Sequence, residues 1–196
     1  VFAALFGVMA TTAQAEKIIV TGASGGFATE TIEALLARGV KPSDLILVTR
    51  TPEKTPELKD IAAKGAAVRK GDFNDPDSLP AAFAGGDRIL VISTSGGGDR
   101  VKQHTNAFTA AKKAGVRHAL YTSYIAADDP SPLSRDHKLT EDALKQSGLQ
   151  WTILRNEIYA NGMVASGARA IASGELVSAS PDRHGAPFVR KDGAAA

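Results

Sequence analysis

The residues best suited to chemistry form a glycine loop, Gly22-x-x-Gly25-x-x-Ala28, in the run TGASGGFA. Its small side chains, three apart, suit the binding of a phosphate. Gly22 permits a tight turn, and Gly25 lets the backbone approach an oxyanion with no side chain between. Ala28 is small enough for a following helix to pack closely on a preceding strand. Ser24 and Gly26 add donors. Some 20 residues further on stands Arg50, in Val48-Thr49-Arg50-Thr51. A guanidinium there can hold a phosphate bidentately, with Thr51 and Lys54 assisting. The alternatives are an ordinary Gly-rich turn and a solvated arginine. The chain has no cysteine, which excludes disulfides, thiolate metal sites and cysteine nucleophiles. His104, His118, His137 and His184 form no HxxxH or HExxH pair, so no metal site is expected.

A phosphate loop of this kind needs a strand before it and a helix after it. Lys17–Val20 is a β-branched run that suits a buried strand. Ala28, Ile32, Leu35 and Leu36 then fall at helical spacing, and Gly39 is placed to end the helix. The alternation continues. Strands are expected at Leu45–Val48, Ala66–Arg69, Ile89–Ile92, His118–Tyr121 and Trp151–Leu154. Thr55-Pro56-Glu57 reads as a helix start with Thr55 as its cap. Further helices are expected at Asp75–Gly85, Asp99–Ala114 and Arg135–Ser147, with Thr122–Ser134 a loop holding Pro130 and Pro132. Such regular order implies α/β architecture, a doubly wound parallel sheet of the Rossmann type. In that context the glycine loop reads as a dinucleotide site, with the pyrophosphate at the helix N-terminus. An NAD-preferring fold places Asp or Glu at the end of the second strand. Arg50 stands there instead and points to NADP, as NADPH.

The 196 residues carry 23 basic and 21 acidic side chains, a net charge of +2. That balance argues against a nucleic-acid or membrane-surface partner. Val1–Ala10 is a nearly unbroken apolar run, too short to span a bilayer, and Ala13-Gln14-Ala15 has a signal-peptidase form. Three readings stand: an export signal lacking its start, a peripheral extension, or an artefact of start choice, with Met9 an alternative start. The expected organisation is a leader at 1–15, a nucleotide-binding domain at 16–160 and a partial substrate-binding region at 161–196. After Asn156 the pattern weakens into an interrupted helix and one further possible strand, ELVSAS.

KIIVTGASGGFA, TRTPEK, GDFNDPDSL, ILVISTSGGGDRVKQHTNAFTAAKKAGVRHALYTS and DHKLTEDALKQSGLQWTILRNEIYANGM occur in that order. Together they resemble the NmrA-like atypical short-chain dehydrogenase/reductases, above all bacterial NAD(P)H:quinone oxidoreductases and triphenylmethane reductases. The resemblance runs from Lys17 to the end, and family members continue well beyond it, so the substrate lobe is expected to be incomplete. It implies that Gly22, Ser24, Gly25, Gly26 and Phe27 line the pyrophosphate and that Arg50 holds the 2′-phosphate. It puts Asp72 and Phe73 beside the adenine, and Ser93, Thr94 and Ser95 beneath the ribose. Tyr121, Thr122 and Ser123 would approach the nicotinamide, and Asn156 and Tyr159 would face the substrate. The Tyr-x-x-x-Lys pair of typical short-chain dehydrogenases is replaced by His137-Lys-Leu-Thr-Glu141, which disfavours ordinary alcohol and carbonyl chemistry.

The expected function is therefore hydride transfer from NADPH to a quinone or similar conjugated acceptor, without flavin or metal. Asn156 and Ser123 would stabilise developing charge, and His137 would donate a hydrogen bond or stand exposed in a first helical turn. His104 is expected to serve in packing or hydrogen bonding. The rival is a non-catalytic NADP(H)-binding redox sensor. A cytoplasmic setting is favoured, with export open if residues 1–15 are a signal remnant. No integral membrane span is expected, and the oligomeric state is left open.

Overall fold

The computed structural model describes residues 15–94, 99–157, 159, 171, 172 and 174. Residues 1–14 of the leader, Ser95, the interrupted helix apart from those last three residues, ELVSAS and the boundary at 160 lie outside them. Six strands form one parallel sheet in the order β3-β2-β1-β4-β5-β6. They are β1 Ile18–Thr21, β2 Leu45–Thr49, β3 Ala67–Lys70, β4 Arg88–Val91, β5 His118–Tyr124 and β6 Gln150–Asn156. The helices between them are α1 Gly26–Ala37, α2 Leu58–Ala63, α3 Leu79–Phe83, α4 Arg100–Lys113 and α5 Pro132–Gln146. This is the doubly wound order in which the winding reverses between β1 and β4.

Alternation along the strands divides the core between two faces. Ile19, Ile46, Val48, Ile89, Val91 and Tyr121 pack with Phe83, Phe108 and Leu144 of α3, α4 and α5. Val20, Leu45, Leu47 and Leu90 pack with Phe27, Ile32, Leu58 and Ile61 of α1 and α2. Strands buried on both faces explain the continuous apolar runs of the sequence.

Two helix starts differ from expectation. Thr55 is not a cap. It is buried, its hydroxyl donates to Thr51 O, and α2 begins three residues later. The stretch Thr122–Ser134 is not all loop. β5 extends to Tyr124 because β6 pairs with it along its whole length, to Tyr124↔Asn156. Pro132 opens α5 rather than marking a loop, with Ser131 accepting from the Ser134 N–H as cap. A proline at a first helical position gives up an N–H that has no intrahelical partner anyway.

Candidate cofactor site

A groove of about 300 Å³ lies across the carboxyl ends of β1, β2, β3 and β4, at the reversal of strand order. Its floor is the glycine loop. Gly22 has φ of +62°, which favours glycine, and the Gly25 N–H donates to Gly22 O at 2.8 Å. A Cβ on Gly25 would lie 3.1 Å from Gly22 O. The loop is thus a bare backbone cradle. Thr29 N–H closes the first helical bond, to Gly25 O, so the N–H groups of the preceding turn of α1 have no partner within the helix. Thr49 donates from its hydroxyl to Ser24 Oγ at 3.1 Å and joins the end of β2 to this loop. Arg50 and Thr51 follow at the rim. The opposite wall is Asp72, Phe73 and Asn74 after β3, and Ile92, Ser93 and Thr94 after β4.

Gly22, Ser24, Gly25, Arg50, Asp72, Phe73, Ser93 and Thr94 of the expected cofactor contacts therefore share one groove. Gly26 and Phe27 open α1 beside it, with the Phe27 side chain turned into the core. The sequence reading missed Gly71, Asn74 and Gln103 as lining residues. Gly71 directly follows β3, a position that could have flagged it. Gln103 offered no such signal, because it reaches the groove from within α4.

Three residues expected at the nicotinamide or the acceptor have their side chains buried in the fold. Tyr121 is fully buried between the sheet and α4 and α5, and burial pushes its hydroxyl pKa up. His137 is not exposed in a first turn but buried, 2.9 Å from the Tyr121 hydroxyl through Nδ1. The Arg100 guanidinium, which only donates, lies 3.4 Å from His137 Nε2. Nε2 therefore accepts, and the Nδ1 proton goes to Tyr121. Burial first, then the Arg100 charge, lowers the His137 pKa to about 4, against the opposing Asp136 and Glu141. Ser123 is also buried, and its hydroxyl donates to Glu141 Oε1 at 2.7 Å. Arg155 holds both oxygens of the same carboxylate, at 2.9 and 2.7 Å. Burial pushes the Glu141 pKa up, but the hydrogen bonds from Arg155 and Ser123 and the charges of Arg155 and Lys145 outweigh it and hold the group below its ordinary range. The protons of Ser123 and His137 are thus already committed inside the fold.

Thr122 supports the groove from below, its Oγ1 accepting from the Ser93 N–H at 2.8 Å. Asn156 and Tyr159 do come together. Asn156 Nδ2 donates to the Tyr159 hydroxyl at 2.9 Å, and the Tyr159 ring lies 5.7 Å from that of Phe27. Tyr159, just past β6, therefore lies against the N-terminal turn of α1. Among the described residues no helix is long and apolar enough to cross a membrane.

Sheet order, glycine cradle and groove define a Rossmann protein built for a dinucleotide. The chain belongs to the NAD(P)H-binding family, whose model matches residues 22–184, and the NmrA-like resemblance is upheld. It is 38% identical over 180 residues to quinone oxidoreductase 2 of Escherichia coli, covering 91% of this chain and 62% of that one. The structure matches an NADPH-dependent quinone oxidoreductase from Escherichia coli complexed with NADPH, with a TM-score of 0.80 and 36% identity. That match covers 90% of this chain and 62% of the other. The Citrobacter sp. triphenylmethane reductase complexed with NADP(H) gives 0.78 and 34%, covering 91% and 63%. The chain thus spans about three fifths of the length of these relatives.

Proposed function

We propose that this protein is an NADPH-dependent reductase that passes a hydride to a quinone or similar conjugated small molecule. The observation that carries the reading is the groove itself. A bare glycine cradle lies at the switch point, and Arg50, not a carboxylate, stands at the end of β2. Relatives named as quinone oxidoreductase and as NAD(P)H azoreductase support a reductase over a redox sensor.

The residues fit NADPH. The N–H groups opening α1 would hold the pyrophosphate, and Arg50 with Thr51 the 2′-phosphate. Phe73 would flank the adenine, and Ser93 and Thr94 would support the ribose beyond β4. Bound there, NADPH would supply the hydride. Asn156 is the donor we assign to the acceptor side, and Tyr159, bonded to it, orients its amide. A reduced quinone monoanion is stable enough that no strong general acid is needed, which accords with the committed protons of Ser123 and His137. A cytoplasmic setting, where NADPH is available, accords with this chemistry.

The test is NADPH oxidation across a panel of quinones, run beside the Escherichia coli relative. Saturable, quinone-dependent oxidation is expected. Tight NADPH binding with no turnover on any acceptor would favour the sensor.

A further inference from the structure

Helix α4 turns three polar side chains toward the two loops that wall the groove. Asn106 Nδ2 donates to Phe73 O at 2.8 Å. Gln103 Nε2 donates to Asn74 Oδ1 at 3.0 Å, and Gln103 Oε1 accepts from the Thr94 hydroxyl at 2.7 Å. His104, fully buried, lies with Nε2 3.1 Å from the Thr94 backbone nitrogen.

The proton positions follow from the partners. The Thr94 N–H can only donate, so His104 Nε2 is unprotonated. Nδ1 then carries the proton and donates to Thr140 Oγ1 at 3.2 Å, while the Thr140 hydroxyl donates to Asp136 O at 2.8 Å. Burial, with smaller contributions from Arg100 and His137, lowers the His104 pKa to about 3, so this acceptor persists at neutral pH. Thr94 lies beyond the last β4–β5 pair, Val91↔Tyr121, where the sheet offers its backbone no partner. A half-buried N–H there needs one.

We propose that α4 acts as a clasp that sets the width of the groove before cofactor arrives, with His104 the positioning residue for the wall after β4. Asn106 holds the wall after β3 and Gln103 ties the two walls together, so His104 and Asn106 act on different walls. Holding both loops in advance removes part of their ordering cost from binding. The inference rests on the groove being a dinucleotide site.

The experiment compares His104→Gln with His104→Asn by titration calorimetry of the 196-residue chain, with melting temperature as the folding check. Glutamine reaches far enough to offer Thr94 N–H an acceptor, whereas asparagine reaches only the Thr140 side. The probes are NADPH, which spans both walls, and 2′,5′-ADP, which lacks the nicotinamide nucleotide and so leans mainly on the wall after β3. His104→Asn is expected to weaken NADPH about tenfold, the scale of one lost hydrogen bond, and 2′,5′-ADP less than about twofold. His104→Gln should bind both within about threefold of the unmutated chain. Asn106→Leu, on the other wall, should weaken both probes alike. Equal NADPH affinity for the Asn and Gln variants, or equal loss of both probes in His104→Asn, overturns the clasp. Failure of the unmutated chain to bind NADPH overturns the dinucleotide reading, and the clasp with it.

Discussion

Replacing Arg50 should change which cofactor is preferred without disturbing the fold. Arg50 is exposed at the end of β2, and the bond from the Thr49 hydroxyl to Ser24 fixes the backbone before it. A guanidinium–phosphate contact belongs to the charge-assisted hydrogen bonds, about 1.5–3 kcal/mol, and exposure puts this one near the lower figure. At about 1.4 kcal/mol per tenfold, Arg50→Ala should raise the NADPH Kd roughly tenfold and leave that of NADH unchanged. Arg50→Asp should go further, since a carboxylate repels the 2′-phosphate and suits the 2′-hydroxyl of NAD. Calorimetric titration of both cofactors reads this directly. The preference of the unmutated chain should shrink between about 0.05 and 0.5 M salt, because the contact is solvent-exposed. Equal affinity of the unmutated chain for NADPH and NADH, or an equal loss of both in Arg50→Ala, would refute the assignment.

Gly71→Ala would bring a Cβ to 2.7 Å from Val48 Cγ1 and 3.1 Å from Ala82 Cβ. Overpacking of about 1–3 kcal/mol should lower the melting temperature by roughly 2–12 °C in a scanning experiment. Glu141→Gln should destabilise by about 1.5–3 kcal/mol at pH 7, measured by urea unfolding, because Arg155 and Ser123 lose a charged partner. The Glu141 pKa is lowered in the fold, so its contribution is present above the unfolded value and lost as pH falls through the folded one; the gap between the two proteins should close in acid. His104 and His137 are held neutral by burial, with pKa values of about 3 and 4. The unfolded chain therefore binds more protons below about pH 6.5, and stability should decline from that pH downward, ahead of the carboxylates. A stability profile flat from pH 7 to 5 would contradict the burial of both rings.

The apolar runs and the glycines carried most of the fold. Ile18–Val20, Leu45–Val48 and Ile89–Val91 announce strands buried on both faces, because such a strand needs apolar side chains in both directions. The cradle was legible for a similar local reason. Gly22, Gly25 and Ala28 act within one strand–turn–helix unit, and their spacing alone sets its geometry. Arg50 was legible too, because strand length fixes where β2 ends.

Only the tertiary structure decided the fate of Tyr121, Ser123 and His137. Each lies near the carboxyl end of β5 or on α5, where a resemblance assigns contacts by position. Which way a side chain turns there depends on the helix packed over it. α5 brings His137 and Glu141 onto the β5 side chains, so protons that seemed free for an acceptor are used inside the protein. The same holds for Gln103 and His104. Their partners lie far away in sequence or across a loop, and no periodicity within α4 encodes them. Local pattern thus determined the elements and the glycine cradle, while the packing of α4 and α5 on the sheet decided which polar side chains face the groove and which hold it in place.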